Sequence, residues 1–371
     1  MTNFTAYTLN TWGAPYAQHQ NARARAIARE ILRLLPDVVC LQEVFLARPR
    51  HIIKTETQQA YPHQLYFRSG WIGSGLMILS RHLIIKKSFE KFYLGGKPED
   101  IRHGDYYAGK GIGVARIQLK DEIVDVYNTH THAQYDDDEY AFYTLSNLWQ
   151  SVHFIRRFSE NVRHVLVGDL NSLPNELGYQ VVRQYTPLND AFSDLNPGAL
   201  GFTFRAANPY VRSHDQRLDY VLYSSGLRPV SCSVIHSDTP TTGTLTLSDH
   251  DALIAEFSLA EQTTELPNAP KEDHLKAESI QLAVREMKLT DNQELSHIEG
   301  MLSAGLIGLD LWRQLFGLQR FSPRLTRFVR RFVLAAALSA CVVHLTQLLI
   351  TIPKRRTAIT HAIDDITSGR Y

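Results

Sequence analysis

Twenty-one consecutive residues, Phe332–Ile352 (FVLAAALSACVVHLTQLLITI), carry no formal charge when His344 is neutral. About 20 such residues suffice for one helix to cross the hydrocarbon core of a bilayer. Arg327, Arg330 and Arg331 precede the run, and Lys354, Arg355 and Arg356 follow it. A buried core helix is the competing reading, but basic flanks at both ends favour a transmembrane helix at about 332–352. Because the flanks are nearly equal in charge, they set no orientation. His344 and Gln347 either face a partner segment or lie near one end of the helix. An earlier run at 300–318 is interrupted by Asp310 and Arg313. A second membrane segment and an interfacial amphipathic helix both fit it. Within it, Gly300, Ala304 and Gly308 recur every four residues and form a face suited to close helix packing.

Residues 1–259 have a different character. Strand-like runs begin at Phe4, Val38, Gly75, Gly111, Ile123, His164, Arg217, Val230 and Ala252, rich in β-branched and aromatic residues with turn residues between them. Helices are predicted over about 19–35, 138–158 and 174–184, the last opened by Pro174. So many strands with so few helices predict an α+β fold, a two-sheet β-sandwich flanked by helices. Residues 260–298 contain the polar, proline-bearing TTELPNAPKED, read as a linker, and then a charged, partly amphipathic helix. A C-terminal helical membrane-anchor region, 299–371, completes the expected organisation. Residues 1–20 show no basic start followed by an apolar run, so no signal peptide is expected. The three cysteines, Cys40, Cys232 and Cys341, are too scattered for a disulfide framework or a metal-ligand spacing. They point to a reducing compartment, and so to a cytosolic catalytic domain on an integral membrane protein. A formal net charge of +1 gives no support to a nucleic-acid partner held by a bulk positive field.

Several polar residues sit at the ends of the predicted strands. Glu43 follows a strand expected to be buried on both faces, where an ionised carboxylate needs a partner, and a metal ion is one answer. Asp169 and Asn171 in VLVGDLN are turn formers if taken alone. Asp249 and His250 place a hard oxygen ligand beside a proton-transfer group. Asp219 is either the orienter of a histidine or half of an ion pair with Arg217. His130 and His132 share one face by period-two spacing, with His130 the better candidate because it ends its strand. A two-histidine zinc site is weak beside so many oxygen donors, which suit magnesium, or alternatively manganese.

The ordered series Asn10, Glu43, His130, Asp169, Asn171, Asp219, Asp249, His250 resembles the endonuclease/exonuclease/phosphatase (DNase I-like) superfamily over residues 4–259. LNTWG from Leu9, YFRSGWIGSGLMILSRH from Tyr66, HGDYYAGKGIG from His103, NTHTHAQY from Asn128 and LNDAF from Leu188 resemble its neutral sphingomyelinase branch. That resemblance implies magnesium-dependent, phospholipase C-type hydrolysis of sphingomyelin or a related phosphosphingolipid to ceramide and the phosphorylated headgroup. It implies Glu43 as metal ligand with Asn10 beside it and Asp249 as a further contact. It implies His250 as base oriented by Asp219, Asp169 positioning the water or the base, and Asn171 and His130 on the phosphoryl oxygens. Asp105 and Lys110 would form a switch near the site. A lipid bilayer is the implied partner and an anionic phospholipid a candidate activator; the oligomeric state is not read. The stretch Lys86–Tyr107 is the expected bilayer contact, and Tyr106, Tyr107 and Tyr135 are candidates for a quaternary-ammonium cage. A membrane-tethered nuclease or inositol-phosphate phosphatase is the first alternative, and a non-catalytic membrane scaffold the second.

Overall fold

The computed structural model describes residues 3–97, 100, 104–135, 140–158, 163–238, 245–259, 273–317 and 323–368. They divide into one compact unit ending near Ser279 and another spanning Ile280–Thr367. Elements are numbered in chain order.

The first unit is a sandwich of two six-stranded sheets. One sheet holds, in spatial order, β11 (Leu227–Ile235), β12 (Ala252–Leu259), β1 (Asn3–Asn10), β2 (Val38–Gln42), β4 (Met77–Ser80) and β3 (His63–Tyr66). The other holds β5 (Leu83–Lys91), β6 (Gly111–Leu119), β7 (Glu122–His130), β8 (His164–Asp169), β10 (Asp219–Ser224) and β9 (Leu188–Asp190). Each sheet contains one parallel pair, β1/β2 and β7/β8, and the other described pairings are antiparallel. The parallel pairs need a crossover, supplied by α1 (Gln20–Leu34) and α3 (Ala141–Phe158). The remaining helices here are α2 (Ala47–Thr57), α4 (Leu177–Tyr185) and α5 (Ala191–Leu195).

Period-two alternation sorts the strands' side chains. Phe4, Ala6, Val38, Cys40, Val124, Val126, Val165 and Val167 belong to the core shared by the two sheets. Tyr7, Leu9, Val39 and Leu41 turn the other way, onto Ala24, Ile27 and Ile31 of α1 and Ile52 and Ile53 of α2. The same alternation carries polar residues onto the inner faces at the carboxyl ends. Gln42 Nε2 donates to Thr8 Oγ1 (3.0 Å) and to Asn128 Oδ1 (2.7 Å), and Asn128 Nδ2 donates to the carbonyls of Leu41 and Met77. This buried clasp ties β2 to β7 directly beneath the site.

The expected two-sheet sandwich is therefore the fold of this unit, with local differences. Helix α4 begins at Leu177, not Pro174, because Glu176 first closes a turn by accepting from Leu173 N (2.9 Å). Helix α3 is described from Ala141, and residues 136–139 lie outside the described residues, as does the linker at 260–272. Elements α2, β3, β5, β9 and α5 were not among the sequence expectations.

The second unit is helical. It comprises the later part of α6 (Asp273–Gly317), α7 (Pro323–Thr346), a π-turn at Gln347–Thr351 and α8 (Ile352–Thr367). Among the described residues, one helical stretch is long and apolar enough to cross a membrane, Arg331–Thr367, with mean hydropathy 2.1 in its most apolar window. It is a candidate membrane anchor. Helices α6 and α7 run antiparallel: His297 and Gly300 meet His344, Met301 meets Cys341, and Gly308 meets Ala337. Leu302, Leu306, Phe332, Leu338 and Val342 remain exposed, as a lipid-facing surface requires.

Candidate active site

Because β1/β2 and β7/β8 are parallel, their carboxyl ends lie at one edge of the sandwich. Asn10, His130 and Asp169 end β1, β7 and β8, and Glu43 directly follows β2. Antiparallel β10 brings its first residue, Asp219, opposite Asp169. In β12, Leu253 pairs with Thr8, so the preceding Asp249 and His250 overhang Asn10. A cavity of about 520 Å³ opens at this edge. Asn10, Glu43, Asp105, Lys110, His130, Asp169, Asn171, Asp249 and His250 line it, and Asp219 lies behind His250.

His250 Nδ1 is 2.8 Å from Asp219 Oδ2, while its Nε2 faces Asp169 Oδ2 at 3.9 Å. Asn10 Nδ2 donates to both Asp169 Oδ2 (2.9 Å) and Glu43 Oε1 (3.2 Å), bridging the two sheets. Asp169 Oδ1 accepts from the backbone N–H of Asn171 (2.9 Å). Burial, with Asp219 beside it, pushes Asp169 up to about 7. Burial alone would depress His250, but Asp219, Asp169 and Asp249 outweigh it and hold the imidazole well above its ordinary value. The Asp169–His250 pair therefore retains a proton at neutral pH.

Lys110 is nearly fully buried, and its ammonium meets three acceptors: Asp105 Oδ1 (2.5 Å), Thr131 O (2.9 Å) and His130 Nε2 (3.0 Å). Asp105 also accepts from Tyr135 Oη (2.5 Å). Burial works to raise the Asp105 carboxyl, yet Lys110 and His132 together draw it below the usual range. Burial, reinforced by Lys110, pulls His130 well below the ordinary histidine value.

Backbone strain concentrates here. Of the seven non-glycine residues with positive φ among the described residues, four line the cavity: Trp12 (48°), Glu43 (57°), Tyr135 (42°) and Asn171 (43°). Such conformations persist only where the surroundings enforce them, and they cluster at functional sites. At Glu43 the enforcement is visible, since a Cβ on Gly13 would lie 1.7 Å from the Glu43 carbonyl oxygen.

Two sets of groups are suited to holding a cation. Asp169, Asp219 and His250 present ligand atoms within 4.8 Å of one another, but the His250–Asp219 contact already uses two of them. Glu43 and Asp249 line the cavity with carboxylates, and Asn10 stands beside them with its Oδ1 accepting from the Trp12 N–H (3.0 Å). Burial, with Glu43 adding to it, pushes the Asp249 carboxyl up to about 6. Partly buried like-charged carboxylates are what a divalent cation relieves, and oxygen donors suit a hard ion. These residues fit such an ion.

The structure also corrects several sequence readings. Arg217 is not the ion-pair partner of Asp219: its guanidinium spans both oxygens of Asp190 (2.7 and 2.8 Å), which leaves Asp219 to His250. His132 does not line the cavity with His130 and instead backs Asp105, with Nε2 3.9 Å from Asp105 Oδ2. It lies beyond the end of β7, where strand alternation no longer holds, and stacks on Tyr140 with ring centroids 4.5 Å apart. The three-tyrosine cage does not form: Tyr106 and Tyr107 contact each other edge-on, and of the three only Tyr135 lines the cavity. The Asp105–Lys110 pair is present, with His130 as a third partner. Sequence reasoning missed Thr131 and Asn208. Thr131 accepts Lys110 and Asn171 through its carbonyl, and Asn208 fixes the Ser248 carbonyl (2.8 Å). Neither carries a signal in a single sequence.

A model of the Endonuclease/Exonuclease/phosphatase family matches residues 7–250. Sphingomyelin phosphodiesterase 2 of Homo sapiens is 34% identical over 268 residues, covering 67% of this chain and 63% of that protein. Inositol phosphosphingolipids phospholipase C of Schizosaccharomyces pombe is 29% identical over 195 residues, covering 51% and 46%. The crystal structure of SmcL superposes with a TM-score of 0.55 at 20% identity, covering 69% of this chain and 99% of that one. The matched stretch thus spans less than two thirds of either curated relative's length.

Proposed function

Since the chain belongs to the endonuclease/exonuclease/phosphatase family, we propose that it is a phospholipase C-type phosphodiesterase that releases a phosphorylated headgroup, phosphocholine foremost, from a membrane phosphosphingolipid. The observation that carries the choice of substrate is the charge of the cavity wall. Glu43, Asp105, Asp169, Glu176 and Asp249 face one ammonium, Lys110, and no arginine is among the described lining residues. A nucleic acid or inositol polyphosphate would need the reverse balance. Trp12, Tyr16, Phe45, Tyr135 and Phe204 complete the wall, and aromatic faces beside carboxylates suit a quaternary ammonium. Two relatives, one a sphingomyelin phosphodiesterase and one an inositol phosphosphingolipids phospholipase C, agree with the lipid class.

Magnesium is the fitting ion for Glu43, Asn10 and Asp249; when bound it offsets their charge and polarises a phosphoryl oxygen. The chain's own residues supply the rest. His250 Nε2 faces the cavity with Nδ1 held by Asp219. With the surrounding carboxylates offset by a cation, His250 gives up the proton that the metal-free site retains, so that it takes a proton from the attacking water while Asp169 positions that water. As the water oxygen–phosphorus bond forms, the bond to the ceramide oxygen breaks; that oxygen takes up a proton from solvent, and His250 returns to solvent the proton it accepted. Asn171 borders the position of the non-bridging oxygens and can donate to the charge that grows there. The three N–H donors of Lys110 are engaged by Asp105, Thr131 and His130, so it acts there through its charge. His130 Nε2 is engaged by Lys110 and cannot donate to the phosphate until that contact opens.

Headgroup release from sphingomyelin, inositol phosphosphingolipid and lysophosphatidylcholine in mixed micelles tests the reading, with Mg²⁺ or chelator and with His250→Ala. Sphingomyelin should be cleaved fastest, and His250→Ala should lower the rate by about 10²–10⁴-fold. Metal-dependent cleavage of DNA with no lipid turned over would overturn it.

A further inference from the structure

Trp71 is 92% exposed, yet its backbone is firmly held. It lies in SGWIGSG (Ser69–Gly75), a loop without a charged side chain. Trp71 N and Ile72 N both donate to the carbonyl of Tyr107 (3.2 and 3.4 Å), Gly109 N donates to Gly73 O (2.9 Å), and Gly70 bridges to Ala108. Gly70 and Gly109 press together so closely that a Cβ on either would fall within 2.4 Å of the other's backbone. The next residue, Ile72, lines the cavity together with Gly104, Asp105 and Ala108 of the loop it leans on. The loop is therefore a fixed projection on the rim of the cavity, with a bare indole at its tip.

We infer that this projection seats the mouth of the cavity on a lipid bilayer, with Trp71 entering the headgroup layer. The inference rests on the proposed lipid substrate, whose two chains stay in the bilayer, so the rim must meet the membrane surface for the phosphodiester to enter. The chemistry of the rim fits that occupant. A large indole with one N–H is suited to the boundary between headgroups and chains. The uncharged loop avoids the desolvation cost that a charge would incur there. Exposed Tyr16 and Tyr135, which also line the cavity, extend the same aromatic rim. A rigid projection inserts without an ordering cost, which a floppy loop would incur.

The test uses the full-length protein reconstituted in bilayers with and without lipids brominated on their acyl chains. The chain has four tryptophans, so the difference between wild-type emission and that of Trp71→Phe isolates the Trp71 signal. That difference signal should be quenched by the brominated lipid. Trp71→Ser should lower hydrolysis of bilayer sphingomyelin by about tenfold or more while leaving hydrolysis of a water-soluble phosphodiester unchanged. An unquenched Trp71 signal, or equal loss on both substrates, would overturn the inference, the latter by placing Trp71 in the fold or the cavity. If the wild-type protein cleaves no phosphodiester, the functional reading fails, while the quenching still reports whether Trp71 enters the bilayer.

Discussion

Lys110 Nζ stands 3.0 Å from His130 Nε2, so an ammonium that can only donate fixes that nitrogen as an acceptor. The proton of the neutral ring then sits on Nδ1, which is buried and has no partner among the described residues. His130 is held neutral by its burial and by the neighbouring cation. Lys110→Met removes the cation but not the burial, so the His130 imidazole should titrate at higher pH, still below an ordinary histidine. Imidazole NMR on histidine-labelled protein reads this directly, and an unmoved titration would contradict the contact. Loss of one charged hydrogen-bond donor beside the substrate should also lower kcat/KM by about 10- to 100-fold.

Asp169, Asp249 and His250 give the metal-free protein a distinctive pH dependence. The two carboxyls are raised from 3.8 to about 7 and about 6. Between about pH 4 and 7 the folded state therefore keeps protons that the unfolded chain has lost, and stability falls as pH rises. The raised His250 has the same sign: its contribution is complete below 6.5 and is lost as pH climbs through its higher folded value. In chelator these three groups should make Tm decline from pH 5 to pH 8, outweighing the depressed His130, which adds stability as pH rises to about 6.5 and no further. Added Mg²⁺, replacing the lost protons, should raise Tm more at pH 8 than at pH 5. Thermal unfolding followed by near-UV circular dichroism decides the matter, and a Tm in chelator that is flat or rising would count against it.

Gly13 and Glu43 form a second dependent pair. A methyl group at Gly13 would collide with the Glu43 carbonyl, so Gly13→Ala must push the carboxylate away from Asn10. A misplacement of about 1 Å at a catalytic group costs about 10²-fold in rate. The variant should lose headgroup release to that extent and need more Mg²⁺ for half-maximal activity. Gly305→Ala, where nothing lies within 4 Å of the new methyl, should behave as wild type.

The site was legible to the extent that the strand ends could be read. Asn10, His130 and Asp169 close runs rich in β-branched and aromatic residues, so their place at the carboxyl ends of strands could be read before the fold was known. Strand β5 could not be read, because Lys86, Lys87 and Lys91 lie on a half-exposed edge strand with no apolar period. Helix α2 carries Pro49 in its first turn and few apolar residues, which hid it. The left-handed backbone of Glu43 is enforced by Gly13 and Gly75, both remote from it in the chain, a contact no local pattern encodes. The third partner of Lys110 likewise depends on the β6/β7 register, which sets Ile112 opposite Thr129 and so brings Lys110 beside His130.

The helical unit offers a test that is independent of catalysis. A Cβ on Gly300 would lie 2.5 Å from the His344 ring and one on Gly308 2.7 Å from the Ala337 methyl, so the α6–α7 approach depends on both glycines. Cys341 Sγ is 3.8 Å from the Met301 carbonyl in the same interface. Met301→Cys should therefore cross-link to the native Cys341 under mild oxidation in the membrane, and the buried Cys40 and Cys232 do not compete. Adding Gly308→Leu forces the helices apart, because close packing without a hydrophobic driving force depends on small residues. Cross-linking of the double variant, read as the fraction of Cys341 protected from alkylation, should fall well below that of Met301→Cys alone. Equal cross-linking would mean that α6 and α7 meet without the glycine face.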